Sequence, residues 1–206
     1  MIIAVDGPSA AGKGTVARAI ASRMGYHFLD TGSLYRMVGL AMLRAGKSGD
    51  DVSAAAGFAA TLDPASVRDA DLRNEDVAAM ASKVAAIPDV RAALLEFQRR
   101  FARQKPGAVL DGRDIGTVVC PDADLKFFVT ARADVRARRR FEELRGQGHK
   151  VSLEQVLADI EARDARDAAR AVAPTVAAPD AIVIDTSDLD RHAVLARVMS
   201  LVRARN

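Results

Sequence analysis

Five short apolar runs recur along the chain, and each has the length and composition of a buried strand. They occupy residues 2–5, 27–29, 108–110, 125–129 and 181–184. Segments with helical periodicity fill the gaps between the runs, so predicted strands and helices alternate. Because a helical crossover returns the chain to the same end of a sheet, this alternation predicts an α/β fold built on a parallel sheet.

Four of these runs end at or beside an acidic residue, namely Asp6, Asp30, Asp111 and Asp185. In an open parallel sheet, ligands bind at the carboxyl ends of the strands. Gly7, Thr31 and Gly112 each follow such an end. The sequence therefore predicts that three separate segments meet in one crevice.

Two regions interrupt the alternation. Residues 46–76 are rich in Ala, Asp and Ser and predict a peripheral helical insert, not a sheet strand. Residues 146–150 form a polar loop between predicted helices at about 133–145 and 153–170, and such a helix–loop–helix arm is a candidate lid. Residues 191–205 predict an amphipathic closing helix.

The segment 7–15 reads Gly-Pro-Ser-Ala-Ala-Gly-Lys-Gly-Thr and lies between the first predicted strand and a helix. This is the context of a phosphate-binding P-loop, in which glycines let consecutive amides point inward beneath the positive end of a helix dipole. Lys13 adds a positive charge for the outer phosphates of a polyphosphate. Gly14 stands where a Ser or Thr is usual, so direct contact of Thr15 with Mg²⁺ is left open.

The segment 30–36 follows the second predicted strand and offers a polar pocket for an acceptor. Arg36 would clamp a monophosphate, and Asp30 would accept a hydrogen bond from a sugar or base. The alternative is an ordinary helix start in which Thr31 or Ser33 is the capping residue.

The segment 109–114 contains the third predicted strand and its exit, Asp-Gly-Arg-Asp. Asp111 fits the carboxylate that holds hydrated Mg²⁺ in phosphate-binding sites, and Arg113 would point into the crevice. Asp114 would orient Arg113 or contact the ligand. The alternative is a salt-bridged turn without a ligand.

Arginines are concentrated on the two helices of the predicted arm: Arg136, Arg138, Arg139 and Arg140 on the first, and Arg163, Arg166 and Arg170, with Asp167, on the second. Phosphoryl transfer spreads negative charge over equatorial oxygens, which arginine side chains stabilise. The alternative is a solvated charged helix face.

The composition limits the partners. The 206 residues carry 30 Lys and Arg against 27 Asp and Glu, and only 4% are aromatic, which favours local anion clamps over a nucleic-acid surface. Cys120 is the single cysteine, so no internal disulfide forms, which fits a reducing cytoplasm. No apolar run approaches the ~20 residues that span a bilayer, so we expect no membrane partner.

These segments together resemble those of bacterial cytidylate kinases, which are P-loop nucleoside monophosphate kinases. The matching segments are 7–15, 30–36, 79–91, 111–117 and 163–174. Many kinases share the P-loop, whereas Asp-Gly-Arg-Asp and Arg-Ala-Val-Ala-Pro are far more specific. The resemblance covers nearly the whole chain.

The resemblance implies a P-loop three-layer sandwich whose five-stranded parallel sheet has the order 2-3-1-4-5. It implies one kinase domain over residues 1–206, with an acceptor-binding insert at about 36–100 and a lid at about 133–170. The implied enzyme is monomeric and cytoplasmic. It uses ATP and Mg²⁺ to phosphorylate CMP or dCMP.

The resemblance also implies roles for individual residues. ATP would be bound by Gly7, Pro8, Ser9, Ala10, Ala11, Gly12, Lys13, Gly14 and Thr15. CMP would be bound by Thr31, Tyr35, Arg36, Ser82, Arg91, Asp111, Arg113, Asp114, Arg163 and Asp167. Lys13, Arg139 and Arg170 would act on the transferring phosphoryl group, and Thr15 and Asp111 would hold Mg²⁺ through water.

One departure from the bacterial family concerns residues 62–71, which are short and contain Pro64, where a small β-rich insert is usual. This leaves open a kinase for another small acceptor, such as UMP or shikimate. A nucleotide-dependent switch is a third alternative, although the Asn-Lys-x-Asp of guanine-binding switches does not occur.

Overall fold

A single five-stranded sheet forms the centre of the fold in a computed structural model that describes residues 1–64, 67–72, 74–170 and 172–205. Its strands are β1 (Ile2–Asp6), β2 (His27–Asp30), β3 (Ala108–Asp111), β4 (Leu125–Thr130) and β5 (Ile182–Asp185). They lie in the order β2-β3-β1-β4-β5, and β1 pairs in parallel with both β3 and β4. The predicted strands and the order implied by the resemblance are therefore confirmed.

Eight α-helices are assigned in the described parts of the chain. They are α1 (Lys13–Met24), α2 (Thr31–Arg44), α3 (Val52–Ala60), α4 (Glu75–Val84), α5 (Pro88–Ala102), α6 (Ala133–Gly146), α7 (Leu153–Ala168) and α8 (Arg191–Arg205). The described residues also form a 3₁₀ turn at Asp69–Leu72 and a π-helical turn at Ile115–Val119. The predicted arm is the pair α6–α7, and the predicted closing helix is α8.

The interrupting region 46–76 is helical, as predicted. Its described residues contain α3 and the 3₁₀ turn and form no strand. Ala65, Ser66 and Arg73 lie outside the described residues, as does Ala171 of the 163–174 segment.

The chain divides into two compact units, which we call the sheet unit (Met1–Leu29 and Arg103–Asn206) and the helical unit (Asp30–Ala102). In the sheet unit, apolar side chains of β1, β4, α1 and α8 form one buried core, with Phe127 and Ile20 among its largest members. The arm has a small apolar core of its own between α6 and α7, formed by Ala137, Leu144 and Val156 with their neighbours. The arm thus has an apolar core of its own, against which Ala10, from the segment between β1 and α1, also packs.

The helical unit depends on a close approach of α2 to α4 at Gly39. A Cβ atom on Gly39 would lie 2.9 Å from the Ala81 nitrogen and 3.2 Å from the Val77 carbonyl oxygen. Because both neighbours are backbone atoms, they have no rotamer with which to move aside.

Asp6, the last residue of β1, is buried and ties the strand to the π-helical turn. Its Oδ1 accepts the Ile115 N–H at 2.8 Å, and its Oδ2 accepts the Gly116 N–H at 2.7 Å. Burial raises the pKa of Asp6 to about 7, although the two N–H donors and Lys13 act to lower it. The exit of β3 is therefore anchored beside the end of β1.

We expect Gly39→Ala to lower the free energy of unfolding by about 1–3 kcal/mol, because the added methyl group meets backbone. The matched control is Gly57→Ala in α3, where nothing lies within 4 Å of the added Cβ. That substitution should raise stability by about 0.5–1 kcal/mol through helix propensity. Urea denaturation measures both variants, and equal stability of the two would contradict the close approach.

We expect Asp6→Asn to change the pH dependence of stability. Between its ordinary pKa of 3.8 and about 7, Asp6 holds a proton only in the folded state, so its contribution to stability falls as pH rises through that window. The variant lacks this slope, and it loses about 1–3 kcal/mol because an amide offers one acceptor oxygen to two N–H donors. The advantage of the wild-type protein should shrink between pH 5 and pH 8.

Thermal unfolding at both pH values measures that advantage. The control is Asp124→Asn, since Asp124 is exposed and accepts the Ile2 N–H at 2.6 Å at the other end of β1. An advantage of wild type over Asp6→Asn that stays constant over this range would show that Asp6 is ionised throughout it.

Candidate active site

The glycine-rich loop leaves β1 through a position that only glycine fits. Gly7 has φ +140°, and a Cβ atom there would lie 1.9 Å from the Val129 carbonyl oxygen of β4. Farther along, Ala10 has φ +57°, and Gly12, with φ +94°, is the N-cap residue of α1. The predicted strand–loop–helix arrangement is therefore confirmed, with the N-terminus of α1 at the loop.

Lys13 is buried at the end of this loop, with 5% of its surface exposed. Its Nζ donates to the Pro8 carbonyl oxygen at 2.6 Å. Burial lowers the pKa of Lys13, and the guanidinium groups of Arg113 and Arg163 lower it further, while Asp111 acts in the opposite sense. Positive groups are thus gathered where the loop would place an anion.

The exit of β3 lies against the loop, as the strand-end argument predicts. The Gly112 N–H donates to the Val5 carbonyl oxygen at 3.0 Å. Asp111 is buried, and its Oδ2 would lie 3.2 Å from a Cβ atom on Gly14. A hard carboxylate oxygen therefore lies beside the first turn of α1, and Thr15 belongs to the same turn.

A buried ionic cluster joins this exit to α7. Arg113 Nε donates to Asp167 Oδ2 at 3.0 Å, and Arg170 Nη2 donates to Asp167 Oδ1. Only 4% of the Asp167 side chain and 6% of the Arg170 side chain are exposed. Burial by itself would raise the pKa of Asp167, but the arginines around it, Arg163 included, outweigh burial and hold it below its ordinary value.

The solvated-face interpretation is therefore wrong for Asp167 and Arg170. It holds for Arg138 and Arg166, which are exposed. The salt bridge of the alternative interpretation of residues 109–114 is present. Arg113 forms it with the buried carboxylate of Asp167 on α7. The structure thus brings together four predicted site residues of the sheet unit, Lys13, Arg113, Arg163 and Asp167.

Two arginines of α6, Arg136 and Arg139, contact the loop or its neighbours. Arg136 is buried and donates to the Ser9 carbonyl oxygen at 3.3 Å, the Ala131 carbonyl oxygen at 2.8 Å and both oxygens of Asp164. Arg139 donates to the hydroxyl and carbonyl oxygens of Thr186, at 2.9 and 2.7 Å.

Thr186 completes this set of contacts. It lies directly after β5, and its hydroxyl is 3.2 Å from the Ala11 carbonyl oxygen. Arg140, one residue beyond Arg139, pairs with Glu143 at 2.7 Å.

The helical unit carries the other predicted acceptor residues. Arg36 pairs with Asp30 at 2.5 Å, and the Arg91 guanidinium lies 5.7 Å from the centre of the Tyr35 ring. Arg91 is buried and also donates to the Ala85 carbonyl oxygen at 3.2 Å. Within this unit, Arg91 and Tyr35 are therefore neighbours.

The start of α2 differs from the alternative interpretation of its sequence. The N-cap residue is Asp30, whereas the alternative names Thr31 or Ser33. The Ser33 hydroxyl donates to the Asp30 carbonyl oxygen at 2.6 Å. Thr31 and Ser82 are both buried, so their hydroxyl groups belong to the interior of the unit.

Three residues acquire significance only in the structure: Asp6, Asp164 and Thr186. Thr186 could have been found from its place after a predicted strand, by the rule that singles out Gly7 and Gly112. Arg136 is among the arginines that the sequence singles out, but its pairing with Asp164 could not be predicted, because that pairing depends on how α6 and α7 pack.

Neither a preformed metal cluster nor a membrane segment appears in the described part of the chain. No three His, Cys, Asp or Glu side chains there converge as a metal site. None of the helices described is both long enough and apolar enough to cross a bilayer.

Comparison with known proteins gives consistent matches over the whole chain. The family model described as Cytidylate kinase matches residues 3–204. A cytidylate kinase of Rhodospirillum rubrum is 52% identical over 206 residues, covering 98% of this chain and 97% of its own. One from Paramagnetospirillum magneticum is 53% identical and covers 99% of this chain and 98% of its own.

Solved structures support the fold alone. A protein from Thermus thermophilus is similar with a TM-score of 0.50 at 22% identity, covering 99% of this chain and 96% of its own. A sugar kinase from a Janibacter species has a TM-score of 0.51 at 16% identity, covering 98% and 93%.

The glycine-rich loop, the Asp-Gly-Arg-Asp exit and the arginines of α7 thus lie in a chain that matches one family from end to end. Its described geometry agrees with the sheet order that the family resemblance implies. The chain belongs to the cytidylate kinase family.

Proposed function

We propose that this protein transfers a phosphoryl group from ATP to CMP or dCMP, giving ADP and CDP or dCDP. The observation that carries the proposal is the buried Lys13, whose pKa is lowered by burial and by Arg113 and Arg163. Positive groups buried together at the end of a glycine-rich loop are stabilised by a polyphosphate anion, which adds to the compensation that Asp111 and Asp6 already provide. Membership of the cytidylate kinase family supports the choice of acceptor.

The donor would be held by the loop and by Lys13. The N-terminus of α1 supplies amides and a dipole that favour phosphate. The binding residues we assign are Gly7, Pro8, Ser9, Ala10, Ala11, Gly12, Lys13, Gly14 and Thr15. The phosphates of ATP would favour the charged form of Lys13, against the burial and the repulsion from Arg113 and Arg163 that lower its pKa.

Mg²⁺ fits the oxygen donors beside the loop. The ion prefers few protein ligands together with phosphate oxygens and water, so one buried carboxylate such as Asp111 suffices. Asp111 and Thr15 would hold it through water. When bound, the ion would offset negative charge on the phosphates.

The acceptor phosphate would be gripped by Arg36, Arg91 and Arg113, since paired N–H donors match phosphate oxygens. Ser82, Arg163 and Asp167 would recognise the cytosine or the sugar. Thr31, Tyr35, Asp111 and Asp114 would line the same site. Asp167 keeps its charge in this role, because the surrounding arginines hold its pKa below the ordinary value.

Catalysis would rest on positioning and charge, with no general base. Lys13, Arg139 and Arg170 would stabilise the transferring phosphoryl group. The guanidinium groups of Arg139 and Arg170 now bond to Thr186 and Asp167, so reaching a phosphoryl group requires an exchange of these partners. We assign that exchange to movement of the arm, residues 133–170.

We further propose a single kinase domain over residues 1–206, with an acceptor-binding insert at about 36–100. The enzyme would act as a monomer in the cytoplasm, with nucleotides as its partners and neither nucleic acid nor membrane. The separate apolar core of the arm supports its movement as a lid.

The proposal is tested by release of ADP with CMP, dCMP, UMP, AMP and shikimate as separate acceptors. We expect turnover to be at least tenfold faster with CMP or dCMP than with the others. Faster turnover of UMP or shikimate would assign a different acceptor. Binding of ATP without turnover of any acceptor would favour a nucleotide-dependent switch.

We expect Lys13→Met to lower kcat about 10²- to 10³-fold, because it removes a charge that acts in the transition state. Stability should be unchanged or increased, since the substitution abolishes the cost of burying an ammonium group. Steady-state kinetics and thermal unfolding measure the two effects.

The control is Lys126→Met, which alters a second buried lysine that bonds to the Pro121 carbonyl oxygen at 2.6 Å and to Asp180 at 2.9 Å. It should lower stability and change kcat far less than Lys13→Met does. Similar losses of kcat in both variants would remove Lys13 from the transition state.

A further inference from the structure

Two side chains form hydrogen bonds with backbone carbonyl oxygens of the glycine-rich loop. Arg136 donates to the Ser9 carbonyl oxygen at 3.3 Å. The Thr186 hydroxyl lies 3.2 Å from the Ala11 carbonyl oxygen and 3.1 Å from the Thr130 carbonyl oxygen, and its one hydrogen is shared between these two acceptors. Neither contact involves an atom that would touch a phosphate.

A trans peptide is planar, so its N–H points away from its C=O. Holding the Ser9 carbonyl oxygen towards Arg136 therefore directs the Ala10 N–H to the opposite side of the loop. Holding the Ala11 carbonyl oxygen towards Thr186 does the same for the Gly12 N–H. These amides belong to the loop that the proposed function assigns to the phosphates of ATP.

The two peptides differ in how much support they need. Gly12 has φ +94° and Ala10 has φ +57°. Glycine adopts positive φ about as readily as negative φ, whereas in alanine the Cβ atom makes this region unfavourable. A non-glycine residue keeps such a conformation only where its surroundings hold it.

Ala10 packs against the apolar core of the arm, and Arg136 holds the peptide that precedes it. The guanidinium group of Arg136 is buried and fixed by the Ala131 carbonyl oxygen at 2.8 Å and by the two Asp164 oxygens at 3.2 and 2.6 Å. A guanidinium group clamped on three sides has no freedom to follow a peptide that rotates. It presents a donor to the Ser9 carbonyl oxygen in one direction only.

We propose that Arg136 is a positioning residue that holds the Ser9–Ala10 peptide so that the Ala10 N–H faces the donor phosphates. Asp164 on α7 fixes Arg136, so the arm and the loop are mechanically connected at this point. The inference deepens the proposed function and relies on it for the identity of the ligand.

The test is a double-mutant cycle of Arg136→Gln with Ala10→Gly, measured as the KM for ATP. With Ala10 present, Arg136→Gln should raise this KM about tenfold, while the KM for CMP changes less than twofold. With glycine at position 10, the same loss of Arg136 should cost threefold or less, because glycine keeps a positive φ without support.

Two comparisons separate this role from general damage to α6. Arg132→Gln removes an exposed arginine of the same region, which forms a bidentate pair with Asp188, and should leave the KM for ATP within about twofold. Thermal unfolding of each variant reports loss of structure. Equal losses from Arg136→Gln in both backgrounds, or no loss in either, would overturn the proposal.

A crystal structure of Arg136→Gln without nucleotide gives a readout that does not depend on the proposed function. Ala10 should leave the positive φ region in this variant, and an unchanged φ would also overturn the proposal. If Arg136→Gln does not fold, Asp164→Asn takes its place with the same expected outcomes, since it releases the guanidinium group but keeps its charge. Failure of the proposed function would appear separately, as absence of CMP turnover by the wild-type protein.

Discussion

The passage of Gly7 against the carbonyl oxygen of Val129 is the contact on which the geometry of the site depends. The absence of a Cβ atom lets the chain turn directly over β4 as it leaves β1. From that turn the loop continues into α1, whose first residue is Lys13. Any larger residue at position 7 would displace the loop from the end of the sheet, and with it every amide that follows.

Asp6 extends this constraint from the loop to the exit of β3. One buried carboxylate accepts two backbone N–H groups of the π-helical turn, so the end of β1 and the segment containing Arg113 and Asp114 share one anchor. The burial that raises the pKa of Asp6 also isolates this anchor from water. The glycine-rich loop and the segment that follows β3 are thus both anchored at the end of β1.

Charged side chains are concentrated around Lys13 and Asp167. Lys13, Arg113 and Arg163 repel one another at short range, and Asp167 is committed to Arg113 and Arg170. Such a cluster is costly without an anion and favourable with one. The positive groups near the end of β1 therefore suit the phosphates that we propose for this site, and the arm that carries Arg139 and Arg170 contains a packed pair of helices.

The sequence by itself determined the strands, the loop and most of the arm, because apolar periodicity and glycine spacing are local properties. It also singled out Lys13, Arg113, Asp167 and Arg170 through short motifs, and the family resemblance supplied their expected roles. It did not show which arginines of the arm are buried in ion pairs and which are exposed to solvent, since spacing alone does not distinguish the two. Only the tertiary structure decided that Asp167 and Arg170 are buried while Arg166 is exposed, and that Arg136 reaches the loop through a bond fixed by Asp164. The reason is physical: burial and pairing depend on which helix packs over which, and that is set by contacts between residues far apart in the chain.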